Sequence, residues 1–202
     1  MYKRQLLYRV GALGGIKPIS LFTYRFKTYE GFIRWLNENN QNLMDIMIKL
    51  LKKKPLNLFE FLNTHPVLEA GWVGNDPKAC RMYVNWIVFL FNEIWDLKVT
   101  KMEDTLMIVD GHVGKVFCRS GLLEKVLYEK SRPYIIQASK MRPWVEEIVY
   151  NSGRAPFYVD NGAFYLFEDG FCTDLDPKCQ NCPIEKMCKK YIKWTAYKMQ
   201  EK

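Results

Sequence analysis

The sequence predicts an all-α fold, as one domain or two small intertwined ones, followed by a C-terminal loop rich in cysteine. Three observations carry that reading. Apolar residues recur at helical spacing along most of the chain. No convincing run alternates in strand fashion, and there is no repeat or low-complexity stretch. The interruptions fall at capping residues, glycines and prolines, which stop and start helices.

At 202 residues the chain is long enough to bury a good core, and 49% apolar and 15% aromatic residues place it among globular proteins. No apolar run approaches the length of a membrane span and no cleavable signal is visible, so the expected setting is cytoplasmic, with no membrane partner. The net charge is +8. Residues 1–54 hold eleven Lys/Arg against three Asp/Glu, and the remainder carries nineteen of each, so the excess is N-terminal. Such a distribution fits a polyanion partner, or equally a solvated lysine-rich surface.

Taken in order, residues 2–13 place Leu6, Leu7, Val10 and Leu13 on one helical face, with Gly14-Gly15 as a stop. After a loop at Lys17-Pro18, Thr28 is placed to cap a helix carrying Phe32, Ile33, Trp35 and Leu36. The next helix begins at Asn42, buries Leu43, Met44, Met47, Ile48 and Leu51, and ends at three lysines before Pro55. A short helix covers about 56–62. Asp76-Pro77 then reads as a capping carboxylate followed by the residue that loses nothing at a first helical position. The helix after it, through Met82, Val84, Trp86, Ile87, Phe89, Leu90 and Ile94, is apolar nearly all round and should be central. Asn92–Thr105 supplies a helix end and a connection. Asp110 opens a helix burying Val113, Val116 and Phe117; Pro143 starts one bearing Trp144, Val145, Ile148 and Val149, ended by Ser152-Gly153. Asp160 or Asn161 starts another, which delivers the chain through Gly170 to Cys172. A basic aromatic tail follows Cys188.

Cys172, Cys179, Cys182 and Cys188 fall within seventeen residues, spaced C-x6-C-x2-C-x5-C. Thiolates this close converge on an iron–sulfur cluster, a zinc ion or disulfides. A reducing compartment argues against disulfides, and a single C-x2-C pair is unlike the two knuckles of most zinc sites. A [4Fe–4S] cluster with zinc as the alternative is the expectation. Pro183 is placed as the first residue of a closing helix. Cys80 and Cys118 lie in apolar segments and read as core residues.

This cysteine loop resembles that of the helix-hairpin-helix DNA glycosylases, in the endonuclease III/MutY branch. Two further segments carry the resemblance. Met107-Ile-Val-Asp110-Gly-His112-Val113-Gly-Lys-Val116-Phe-Cys-Arg119-Ser-Gly121-Leu looks like the family's V-D-T-H-V-x-R-V-x-x-R-L-G-L, whose aspartate is catalytic. Gly71-Trp-Val-Gly74 with Lys78-Ala79 is a loose relative of the hairpin L-P-G-x-G-x-K-T-A. Gly111 and Gly114-Lys115 depart from the pattern, and the thirty-two residues between Lys78 and Asp110 exceed the endonuclease III spacing. The archaeal 8-oxoguanine glycosylase branch has a similarly wide gap and a similar K-R-x-x-x-F-x-R-W-M-V run, but does not normally carry the cluster. The resemblance covers about residues 70–190.

It implies two small helical subdomains with a cleft between them, making up a glycosylase-like domain over residues 1–170 with the hairpin-like segment at about 70–120, and a cluster loop with terminal helix over 171–202. It implies a monomeric, nucleoid-associated DNA-repair enzyme with AP-lyase activity, acting on double-stranded DNA bearing a damaged or mismatched base. Lys78 would be the nucleophile and Asp110 its partner, with Gly71, Gly74, His112, Lys178 and Lys186 contacting DNA. Lys78 also reads as a surface lysine, Asp110 as an ordinary helix cap and His112 as a packing residue. The competing reading of the whole chain is a non-catalytic, DNA-binding or redox iron–sulfur protein on the same scaffold.

Overall fold

Seven α-helices and no strand occur among the residues that the computed structural model describes, which are 19–68, 77–123, 137–173 and 176–190. The expected helix at 2–13, the Lys17-Pro18 loop, Asp76 and the tail beyond Lys190 lie outside them. The first helix, α1 (Ile19–Glu38), begins earlier than Thr28. No glycine or proline interrupts residues 19–30, so once nucleated the helix propagates through that threonine. Asn42 caps α2 (Leu43–Leu51), its Oδ1 accepting the Met44 and Asp45 N–H groups at 2.8 and 3.4 Å. Met47 and Leu51 are buried there, whereas Met44, expected inside, is exposed. Pro55 opens α3 (Pro55–Thr64) as its first residue.

Helix α4 (Lys78–Phe89) starts one residue later than Asp76-Pro77 suggested: Pro77 is the cap, and its carbonyl accepts the Cys80 and Arg81 N–H groups. The helix widens into a π turn over Leu90–Ile94. It is one-sided rather than central. Cys80, Val84, Val88 and Phe91 are fully buried, while Trp86 and Ile94 are more than half exposed. The connection that follows is braced by Asn92, whose amide donates to the Thr100 carbonyl and whose Oδ1 accepts the Val99 N–H at 3.0 Å. A 3-10 turn at Met102–Asp104 leads into residues 105–110 and then α5 (Gly111–Ser120), closed by Gly121 at φ +81°.

Helix α6 (Ala138–Asn151) starts well before Pro143, which sits inside it. The proline removes one backbone hydrogen bond, and the fully buried face of Met141, Val145 and Val149 offsets that loss. Helix α7 (Pro156–Glu168) starts at Pro156 rather than Asp160 or Asn161. Asp160 is therefore not a cap. It lies on the buried face with Phe157 and Ala163. Pro183 opens a series of hydrogen-bonded turns instead of a helix, with Cys188 N–H donating to the Ile184 carbonyl at 3.0 Å.

Two hydrophobic cores result. One gathers α1–α4 with Val99 and Leu106; the other gathers Met107, Val109, α5–α7 and Leu123, with Cys172 packed against it. The chain passes from one core to the other between Leu106 and Met107. Side chains alternate across extended backbone, so neighbours point to opposite cores.

Candidate functional site

The segment 105–110 is held from both sides by polar groups, and this is what places Asp110. On the α4 side the contacts fall at helical spacing. Asn85, fully buried, donates its amide to the Leu106 carbonyl at 2.6 Å and accepts the Leu106 N–H at 2.8 Å. One turn earlier Arg81 donates to the Met107 carbonyl at 3.3 Å and pairs with Glu146 of α6 at 3.2 Å. One turn earlier again, Lys78 Nζ donates to Asp110 Oδ2 at 2.7 Å. Positions 78, 81 and 85 share one face of a helix. Their seven-residue span of about 10 Å matches roughly 13 Å for four residues of extended chain, and Thr105 and Asp110 both have extended backbone angles. On the α7 side Phe157 N–H donates to Thr105 Oγ1 at 3.0 Å, and Asp160 lies buried on the same face of that helix.

Asp110 serves two roles at once. Oδ1 caps α5, accepting the His112 and Val113 N–H groups at 2.9 Å each, while Oδ2 holds Lys78. Burial alone would push its carboxyl up. The Lys78 hydrogen bond and charge, the Val113 N–H and nearby His112 outweigh that and hold it below the usual carboxylate range. The pair is open on the lysine side: Lys78 is 48% exposed and Asp110 15%. A group approaching from solvent thus meets the amine first.

The remaining expected site residues separate. Gly71 and Gly74 lie outside the described residues. His112 adjoins Asp110 but packs its ring on Phe167, centroids 3.9 Å apart, with the Lys115 ammonium over the same phenyl at 5.4 Å. Lys178 and Lys186 are exposed on the cysteine loop.

Cys172, Cys179, Cys182 and Cys188 all line one small hollow of about 20 Å³, walled by Val116, Leu166, Phe171 and Ile184. None of the six cysteines is in a disulfide, and Cys80 and Cys118 are buried in the cores as expected. Among the described residues no three His, Cys, Asp or Glu side chains stand close enough to hold a single metal ion. Beneath the hollow lies Arg119, buried at 1% exposure, whose guanidinium donates to the carbonyls of Cys172 at 2.5 Å and Thr173 at 3.2 Å and lies 3.9 Å from Cys172 Sγ. Burial pushes the Cys172 thiol up, and Arg119 pulls against it. Lys189 N–H donates to the Ser120 carbonyl at 3.0 Å, so the exit of the loop is tied to the same end of α5.

Sequence reasoning passed over Asn85 and Arg119 as site-builders. Each left a signal: a polar or charged residue on the buried stripe of an otherwise apolar helix, where burial without a partner is expensive. No protein-family model matches the chain, no curated protein is similar to it in sequence, and no solved structure matches its fold.

Proposed function

We propose that the chain is a DNA glycosylase with AP-lyase activity, acting on a damaged or mismatched base flipped from duplex DNA. The observation that carries this reading is the 2.7 Å hydrogen bond between Lys78 and Asp110. The two residues were singled out by motif alone, thirty-two positions apart, as nucleophile and partner. Their meeting at a solvent-open point between two helical cores supports both assignments.

Extruding a base costs a few kcal/mol, least where pairing is already damaged. The sugar then approaches the exposed amine. Lys78 first gives up the proton on its hydrogen bond, for which Asp110 is the acceptor already in place, since that carboxyl's low proton affinity depends on the ammonium beside it. The amine nitrogen bonds to C1′ as the C1′–base bond breaks, and the base leaves with that electron pair and takes up the proton that Asp110 had accepted. Asp110, once again a carboxylate, stabilises the positive charge that develops at the sugar. The C1′–O4′ bond then breaks as the attached nitrogen gives one proton to O4′ and forms the C1′=N Schiff base, and loss of the C2′ proton and the 3′ phosphate from it cuts the strand.

The four loop cysteines would hold a [4Fe–4S] cluster, with zinc as the alternative. The spacing C-x6-C-x2-C-x5-C, with a single C-x2-C pair in place of two knuckles, favours the cube over a tetrahedral zinc ion. When bound, the cluster would supply folding energy and a fixed loop shape, with redox sensing as an addition. Lys178 and Lys186, exposed on that loop, favour contact with phosphates.

Borohydride trapping on duplex DNA with an abasic site tests the reading. A covalent adduct is expected with the wild type, absent with Lys78→Ala and slowed with Asp110→Asn. Trapping that survives Lys78→Ala moves the nucleophile elsewhere; no adduct and no base release from a panel of lesions rejects the enzyme altogether.

A further inference from the structure

We propose that Arg81 is a positioning residue for the pair: its guanidinium locks the two helical cores to each other where Lys78 of one meets Asp110 of the other. The inference deepens the reading of Lys78 and Asp110 as the reacting pair and rests on it for the consequence in catalysis.

Lys78 and Asp110 belong to different cores. Helix α4, which carries Lys78, packs in the first core through Cys80, Val84 and Val88, whereas Asp110 caps α5, whose Val113, Val116 and Phe117 lie in the second. Amine and carboxylate therefore stay in contact only while the two cores keep their relative placement. Asn85 sets the register of the connecting segment, but Leu106, which it holds, still belongs to the first core.

Arg81 makes the crossing. It lies one turn after Lys78 on the same face of α4, with its guanidinium carbon 5.2 Å from the centre of the Phe59 ring in the first core. From there Nη1 reaches two acceptors on the far side. One is the carbonyl of Met107, a fully buried residue of the second core, at 3.3 Å; the other is Oε1 of Glu146 on α6, at 3.2 Å. Arg142 Nε, 3.6 Å from the same oxygen, fixes that carboxylate from within α6. The Arg81 side chain is 11% exposed, so its pairing is shielded from water in a way that the half-exposed Lys78 is not. A planar guanidinium holds two acceptors in a fixed relation, which a flexible ammonium does less firmly. Met107 stands three residues before Asp110, so a shift there is passed on to the carboxylate. A misplacement of about 1 Å at a reacting group costs on the order of a hundredfold in rate.

The test combines a titration that needs no activity with a kinetic one. Lys78 helps to hold the Asp110 carboxyl below the usual range, so the pH at which it titrates reports how closely the amine approaches. Arg81→Met keeps an apolar stem beside Phe59 and removes the donors. Its Asp110 carboxyl carbon, followed by NMR, is expected to titrate at higher pH than in the wild type. Arg81→Lys, which keeps the positive charge, should show a smaller rise, and Glu146→Gln, which leaves Nη1 an acceptor, should show none. His112 on α5 and Asp160 on α7, the other titratable groups near Asp110, are the same in all four proteins. An unchanged titration in a folded Arg81→Met, or in Arg81→Lys where the first variant does not fold, overturns the inference whether or not the protein is a lyase. Kinetically, Arg81→Met should lower kcat for abasic-site cleavage by about ten- to hundredfold with KM within about threefold, and Arg81→Lys should recover part of that loss. Glu146→Gln should keep kcat within about threefold of the wild type. Wild-type kcat in Arg81→Met, or an equal loss in Glu146→Gln (which would lay the effect on the ion pair alone), rejects the positioning role. A wild type that cleaves nothing rejects the enzyme reading instead, and the titration then decides the inference by itself.

Discussion

The Asn85 carboxamide satisfies both backbone polar groups of Leu106, donating to its carbonyl at 2.6 Å and accepting its N–H at 2.8 Å, in a place closed to water. A side chain here does what a neighbouring strand would do, and so fixes the register of residues 105–110 against α4. Lys78 lies two turns before Asn85 on the same helix face, and Asp110 lies four residues after Leu106. The register set at one end decides whether amine and carboxylate meet at the other. Asn85→Ala strands both Leu106 groups and should cost about 2–4 kcal/mol, read as a lower denaturation midpoint with an unchanged m-value. Abasic-site trapping should fall in the fraction that remains folded.

The Lys78–Asp110 contact resembles an ordinary ion pair, and stability separates the two possibilities. Lys78 is 48% exposed, so its pairing is screened and contributes at most about 1 kcal/mol. Lys78→Ala should leave the melting temperature within a few degrees of the wild type while abolishing the trapped adduct. A large loss of stability would make the pair structural.

Much of this site was legible in the sequence. Asp110 opens a helix because an acidic residue follows an apolar run and precedes Val113, Val116 and Phe117 at helical spacing, and the structure caps α5 with it. The four cysteines line one hollow, but no three of them stand close enough to hold a single metal ion. What was not legible came from tertiary packing. Pro143 is a start signal by local rules, but the buried stripe of Met141, Val145 and Val149 extends α6 beyond it on the N-terminal side. Asp160 looks like a cap until Pro156 takes the start of α7, which turns the aspartate inward. The apolar surround of α4 suggested a central helix, yet Trp86 and Ile94 face solvent, because hydropathy counts residues without knowing how many neighbours a two-core fold provides.

His65 makes the fold sensitive to acid. Its Nδ1 accepts the Val67 N–H at 3.2 Å, which requires a neutral ring, and Phe32, Trp35 and Phe61 surround it with centroids 5.0, 4.5 and 5.3 Å away. Burial holds the imidazole below its ordinary value of 6.5. A lowered value means that the unfolded chain takes up the proton first as pH falls. This contribution to stability is complete above pH 6.5 and is lost as pH drops through the folded value. Thermal melts at pH 7 and pH 5 should show a larger decrease for the wild type than for His65→Phe.

Gly121 is the point where α5 hands over to the cysteine loop. Its φ of +81° is strained for any side chain, and a Cβ there would stand 2.4 Å from Lys189 Cδ, beside the Lys189–Ser120 hydrogen bond. Gly121→Ala should destabilise the protein by about 1–2 kcal/mol. Adding Lys189→Ala relieves the contact and leaves the backbone strain, so it should restore only part of the loss in a thermal melt.

Asp110 allows its two roles to be separated by choice of substitution. Asparagine is as good a helix cap as aspartate, whereas alanine forfeits the two hydrogen bonds to the His112 and Val113 N–H groups, a loss of about 1 kcal/mol. Asp110→Asn should therefore fold with nearly wild-type stability, and Asp110→Ala should melt several degrees lower. In cleavage of an abasic site the two variants should be similarly impaired, because both remove the negative charge that accepts the Lys78 proton and faces the sugar. A fully active Asp110→Asn would reduce Asp110 to a cap, and the chemistry would then have to be carried by Lys78 without it.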